Sequence, residues 1–207
     1  MLIIIVVLGL LTSFAGNQLN HCDDLSGFKQ LMKGPPRSRN EYRGRYVNLA
    51  YDYSVRIPEG MTAYDGRDEA RHSGFVLGLG NASESVIFVF GDPNSMDYDN
   101  PREETTGTAD FLRQRGRKIE SETITGSHLG TLDAVLHIVI YTCPESTDRH
   151  IISSIIALGP DKRFVYELQL CGPANQYESA QAVLTQLQES WKMLPGRSDK
   201  TTSMRRR

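Results

Sequence analysis

Residues 177–194, YESAQAVLTQLQESWKML, constrain the fold of this chain more than any other stretch. Tyr177, Ala180, Leu184, Leu187, Trp191 and Leu194 recur at three- and four-residue steps, which gathers them into one apolar stripe of a helix. Such a stripe is stable only against a second layer. Asn175 with Glu178 three residues later has the form of a capping box, and Pro195-Gly196 is expected to close the helix. Trp191, the sole tryptophan, is expected as a core anchor. The covered layer lies just upstream. Ile151–Leu158 and Arg163–Leu170 read as strands joined by Gly159-Pro160-Asp161-Lys162, a hairpin turn. In the second strand Phe164, Tyr166, Leu168 and Leu170 alternate with Glu167 and Gln169, so one face should meet a core and the other be wetter.

The remaining strands follow the same logic. Val47, Leu49, Tyr51, Tyr53, Val55 and Ile57 alternate with Asn48, Asp52, Ser54 and Arg56, a strand or hairpin half-buried on one side. This alternation directs Tyr51 and Tyr53 inward and Tyr46 outward, and Pro58-Glu59-Gly60 ends it. Residues 74–79 and 85–90 form a second hairpin signal, and the latter run is apolar on both faces, as a central strand is. A polar loop, Asp92–Thr106, leads into a short helix near Ala109–Gln114. Lys118–Thr125 and Leu132–Thr142 then read as strands around a turn at Gly126–Gly130. The pattern predicts an α+β fold: a mostly antiparallel β-sheet covered by helices.

The ends differ in composition from this block. Residues 2–11, LIIIVVLGLL, are apolar, and Ser13-x-Ala15 has the small-x-small form of a cleavage site. Residues 1–15 are therefore expected to be a signal peptide, and the run is shorter than the roughly 20 residues a membrane span needs. No Lys or Arg precedes it, only the α-amino group. Residues 16–44 form a polar, partly disordered leader in which Arg37, Arg39 and Arg43, with Arg45 just beyond, read as a solvated cluster. Residues 45–195 form the folded domain, and residues 196–207 a disordered tail. Three cysteines, Cys22, Cys143 and Cys171, suit an exported chain with one disulfide and one spare thiol. Cys143 and Cys171 each end a strand, and their pairing is expected ahead of Cys22 with either, unless another strand separates them. Cys22 also opens the alternative of a lipid-anchored envelope component, although Asn20-His21 before it replace the small residues such a site wants.

The order of parts resembles a known family. A strand pair ending in Ile57-Pro58-Glu59-Gly60, a glycine-bearing hairpin and a middle helix come first. GSHLGTLDAVLHIVIYT and KRFVYELQLCGPANQYESAQAVLTQLQESWKML then supply a glycine turn with a long strand, and a strand, turn and terminal helix. This order, over about residues 45–195, is similar to the PsbP-like α/β/α sandwich. That family includes an extrinsic photosystem II subunit, a Ran-binding import factor and exported bacterial proteins. The resemblance implies a binding or assembly module in a secreted or periplasmic setting, with an unknown protein or small ligand as partner. It transfers no site residue.

The residues themselves carry little catalytic chemistry. The chain has no G-x-S-x-G elbow, H-E-x-x-H helix or phosphate-binding glycine loop, so no catalytic residue and no cofactor are expected. His21, His72, His128, His137 and His150 are dispersed, and His137, within an apolar strand, reads as a buried structural imidazole. His72-Ser73 puts a base beside a hydroxyl, but neighbours on a strand face opposite ways. Asp92, Asp97 and Asp99, with Glu103, Glu104, Asn94 and Asn100 nearby, offer oxygen ligands without EF-hand spacing, the weak candidate for a metal. Asn81-Ala82-Ser83 has the form of a glycosylation acceptor. A formal net charge of −2 and the lack of a basic stripe argue against nucleic acid. The competing class is a hydrolase or metal-dependent enzyme, favoured by the acidic loop and the scattered histidines alone.

Overall fold

The computed structural model describes residues 40–65, 73–79, 83–144 and 146–195. The signal segment, nearly all of the leader, the tail, Cys22, His21, His72 and Asn81 lie outside the described residues. Eleven strands and two α-helices follow in order: β1 (Glu41–Tyr42), β2 (Arg45–Asn48), β3 (Tyr53–Arg56), β4 (Ala63–Asp65), β5 (Gly74–Gly78), β6 (Val86–Pro93), α1 (Thr106–Gln114), β7 (Lys118–Leu129), β8 (Leu132–Thr142), β9 (Arg149–Leu158), β10 (Phe164–Pro173), α2 (Tyr177–Ser190) and β11 (Lys192–Met193). Eight strands form one sheet in the order β1-β4-β5-β6-β10-β9-β8-β7, and β11-β3-β2 form a small second sheet. Every pairing is antiparallel.

The period of two along each strand divides the large sheet into two faces. Leu168, Leu170, Ile155, Ile87 and Val89 meet Ala180, Leu184 and Leu187 of α2, together with Tyr53, Val55 and Trp191. On the opposite face Val86, Phe88, Val139, Ile152 and Cys171 meet Leu112 of α1. The result is an α/β/α sandwich, with the small sheet sharing the α2 layer. β6 feeds both cores, as its two apolar faces require.

Several local expectations change. Residues 46–57 are a hairpin that pairs residue i with residue 101−i, Tyr46 with Val55 and Asn48 with Tyr53. An odd sum pairs even residues with odd ones, so the inward set switches parity across the turn. Tyr46 and Asn48 are buried along with Tyr53, Val55 and Ile57, while Val47 and Leu49 are exposed. The β7–β8 turn sits at Gly130, where φ is +57°, and β7 runs straight through Gly126. Asn175 does not cap α2. It lies in a 3₁₀ turn, Ala174–Gln176, and the cap position is Gln176, which makes no side-chain capping bond. Instead the Gln176 side-chain oxygen accepts from the Glu84 N–H and the Ser83 hydroxyl, both at 3.0 Å. α2 ends at Ser190, before Pro195, because Lys192-Met193 pairs with β3. Trp191 is beyond the helix, in extended conformation, and is buried.

The Cys143–Cys171 pairing is not formed: Cys143 is a free thiol. β9 lies between β8 and β10, so the cysteines are at least two strand spacings apart, about 9–10 Å. Disulfides need Cα atoms within roughly 7 Å.

Candidate functional site

The small sheet presents the most unusual charge arrangement of the described residues. The Ile57 N–H donates to the Gly44 carbonyl at 2.7 Å, which makes Gly44/Ile57 a hydrogen-bonded pair. Stepping by two, Tyr46/Val55 and Asn48/Tyr53 are also bonded pairs, whereas Arg45/Arg56 and Val47/Ser54 are the non-bonded ones. Non-bonded pairs bring Cα atoms to about 4.5 Å and hold their side chains closest. Two arginines thus stand directly opposite each other on the outer face, where like charges oppose folding.

Neighbouring groups do not neutralise them. Arg45 donates from Nη2 to the Ser54 hydroxyl at 2.9 Å. Arg56 makes no ion pair among the described residues. Its backbone alone is held, with its N–H donated to the Ser190 hydroxyl at 3.0 Å. Lys192 lies opposite Ser54 and adds a third cation to this side of the sheet. Arg43 reaches Glu41 only at 3.7 Å, both side chains being more than half exposed. Such a contact contributes about 0–1 kcal/mol. Arg43, Arg45 and Arg56 line one wall of a cavity of about 570 Å³, and Ile57, Pro58 and Met61 supply apolar surface. Among the described residues Glu59 is the single carboxylate lining it. The cavity can take an anionic group with an apolar body. Reading 46–57 as one strand hides this site, because Arg45 and Arg56 meet only through the hairpin. The signal for the turn was present in Asn48, whose side-chain oxygen accepts from the Ala50 and Tyr51 N–H groups at 3.0 and 3.2 Å.

The other candidates are dispersed. Asp99 is fully exposed and paired with the Lys162 ammonium at 2.8 Å, which holds its carboxyl below the usual range. Asp97 sits in a left-handed turn conformation with φ of +53°, and Asp92 is near the end of β6. The loop is organised by Asn94, which donates to the Tyr98 and Lys162 carbonyls at 3.0 and 2.9 Å and accepts from the Tyr98 N–H at 2.9 Å. Among the described residues no three His, Cys, Asp or Glu side chains are placed to share a metal ion. Ser73 is buried, and its carbonyl accepts from the Tyr53 hydroxyl at 2.7 Å. His128 lies in β7, where its carbonyl accepts from the Gln188 side chain at 2.7 Å. His150 stacks on Tyr141, with centroids 5.5 Å apart, at the edge of a second cavity of about 520 Å³ lined also by Glu84, Asp148 and Arg149.

On the α1 side the large sheet carries a buried polar row, in which His137 is buried as expected and Gln169, expected on a wetter face, is buried too. His137, Ser154 and Gln169 are register neighbours on β8, β9 and β10, and all three are buried. His137 Nε2 lies 3.0 Å from the Glu122 carboxylate, and its Nδ1 has no hydrogen-bond partner among the described residues. Gln169 donates to the Glu167 carboxylate at 3.0 Å and to the Ser154 hydroxyl at 3.3 Å. Glu167 is fully buried, which pushes its carboxyl up to about 8, reinforced by repulsion from Glu104 and Asp92. Glu104 is raised for the same reasons, burial first and then Asp92. His137, Ser154, Glu167 and Gln169 are buried in the sandwich, whereas Glu104 is half-buried and Glu122 is exposed on the edge strand β7.

No protein-family profile matches the chain, and no curated protein does. Several solved structures follow a similar course. LpqN, involved in cell envelope biogenesis of Mycobacterium tuberculosis, is 12% identical over 79% of this chain and 88% of its own, with a TM-score of 0.48. The cyanobacterial PsbP of Synechocystis is 8% identical over 78% and 95%, with a TM-score of 0.46. The Ran-binding protein Mog1p of Saccharomyces cerevisiae is 11% identical over 76% and 97%, with a TM-score of 0.49. No helix among the described residues is long and apolar enough to cross a membrane.

Proposed function

We propose that this protein is an exported binding or assembly module that engages its partner through the basic outer face of the small sheet. The observation that carries this reading is the Arg45–Arg56 cross-strand pair, placed where it opposes folding and without a neutralising carboxylate among the described residues. Charge held at a cost to stability is accounted for by a ligand that completes it. Export rests on the apolar residues 2–11 followed by Ser13-x-Ala15.

Both parts are open to direct tests in the native host. A photo-crosslinking residue at the exposed position 49 should yield a discrete adduct that is absent when the probe sits at Asp110 on α1, and absent again in an Arg56→Glu background. Equal adducts from both positions would remove the face as the site. Intact-mass measurement of the recovered protein should give a chain beginning at Gly16; a mass that includes Met1, or a lipid on Cys22, would reject this processing.

A further inference from the structure

We propose that β2 accepts an acidic, extended segment of a partner protein as a fourth strand of the small sheet. The inference rests on reading the basic face as the binding surface and adds the geometry of the bound chain. Among the described residues β2 is the edge strand of the small sheet, with β3 as its single neighbour. Because Arg45 and Val47 occupy non-bonded pairs, their N–H and C=O groups point away from β3, toward the open edge. They are two donors and two acceptors at the spacing an added strand uses.

Edges are normally blunted by charge or proline. Here the arginines occur beside apolar side chains instead. Val47 and Leu49 are 46% and 62% exposed and, with Met96, are the exposed large hydrophobic residues of the described chain. A charge placed only to repel other strands does not need them. On the outer face an added strand continues two rows, one ending in Arg45 and Arg56, the other in Val47, Ser54 and Lys192. A carboxylate in the first row can accept from Arg45 and lie beside Arg56, which turns the like-charge pair into a clamp. An apolar residue in the second row covers Val47. The two positions are two residues apart, so the recognised pattern is an acidic and an apolar residue separated by one.

The test uses the full chain and a capped eight-residue peptide of alternating Glu and Val. Three controls accompany it: a block isomer with the Glu and Val residues segregated, a version N-methylated at alternate residues, and vesicles with one-third anionic lipid. The alternating peptide should bind at least tenfold more tightly than the block isomer and the N-methylated form. It should slow amide exchange at Arg45 and Val47, and lose binding at least tenfold with Arg56→Glu. Binding that depends on Arg56 yet is insensitive to N-methylation overturns strand addition and leaves the basic face intact. No binding of any acidic peptide overturns strand addition, and where the crosslink at position 49 is also absent, the face reading falls with it. Preferential binding to the vesicles assigns the face to a membrane surface and rejects the peptide.

Discussion

The two faces of the large sheet are built from the same strands and closed in different ways. On the α2 side the seal is aromatic: Trp191 stacks on Tyr53 with centroids 4.3 Å apart and meets Tyr166 edge-on at 5.4 Å. On the α1 side Leu112 of the helix meets Val139 and Ile152, and the same sheet face carries buried polar groups that include the Glu167 carboxylate. The difference shows that burial alone does not describe a core. The aromatic side gains from area and stacking. The polar side is uniquely specified but sensitive to protonation, since each buried group depends on its partners.

The comparison breaks most visibly at Trp191. Trp191→Ala should cost about 3–5 kcal/mol, because it leaves a cavity beside Tyr53 and Tyr166. Leu112→Ala, the matching truncation under α1, should cost less, because Leu112 is smaller and its helix shorter. Urea unfolding of both variants measures the gap. A larger loss at Leu112 would reverse the assignment of the stronger seal.

Next comes the carboxylate. The folded state holds a proton on Glu167 up to about pH 8, whereas the unfolded chain releases it near the ordinary carboxylate value. Between those values the folded form binds more protons, so stability is fully present below the unfolded pKa and is lost as pH rises toward 8. Glu104 acts in the same direction. Glu167→Gln keeps a donor and an acceptor without the charge. It should match the parent near pH 4 and exceed it by a few kcal/mol at pH 9. Denaturation series at the two pH values test this, and a variant less stable at pH 9 would refute it.

The α2 side also depends on a turn that faces it. Gly130 has φ of +57°, and its N–H donates to the Gln188 carbonyl at 3.0 Å. A Cβ there would come within 2.3 Å of the Trp191 carbonyl oxygen. Gly130→Ala should therefore cost about 2 kcal/mol, from the left-handed conformation and the displaced contact. Gly126→Ala, in open space within β7, should change stability little. Equal effects would show that the turn is not pinned against α2.

These positions also mark how far local pattern reaches. The stripe Ala180, Leu184 and Leu187, the Gly159–Lys162 turn and the double-faced β6 are legible because each is set by residues within a few positions of one another. Glu167 was not legible. Alternation says that it faces away from Leu168, but the loop that brings Asp92 and Glu104 beside it is set by tertiary packing. The inward and outward facing of residues 46–49 was misassigned for a related reason. A period of two is the same in a strand and in a hairpin, and the parity reversal is decided by where the turn falls. The basic face shares that fate, since Arg45 and Arg56 are adjacent only once the hairpin is registered.

The smallest effect concerns that pair, the exposed counterpart of the buried carboxylate. Arg56→Glu replaces repulsion across a non-bonded pair by attraction, and cross-strand charge pairs contribute about 0.2–1 kcal/mol. The Ser190 contacts to Arg56 use its backbone N–H and carbonyl, so the substitution leaves them in place. The variant should therefore be slightly more stable than the parent, by about 1–3 °C in Tm. The gain should shrink in 1 M salt, where the screening length falls to about 3 Å. Arg56→Gln should lie between the two. A stabilised variant that has also lost its crosslink at position 49 would separate folding from binding at one residue. A destabilised one would mean that the pair is already compensated in the free protein, and the argument for a ligand at the small sheet would lose its foundation.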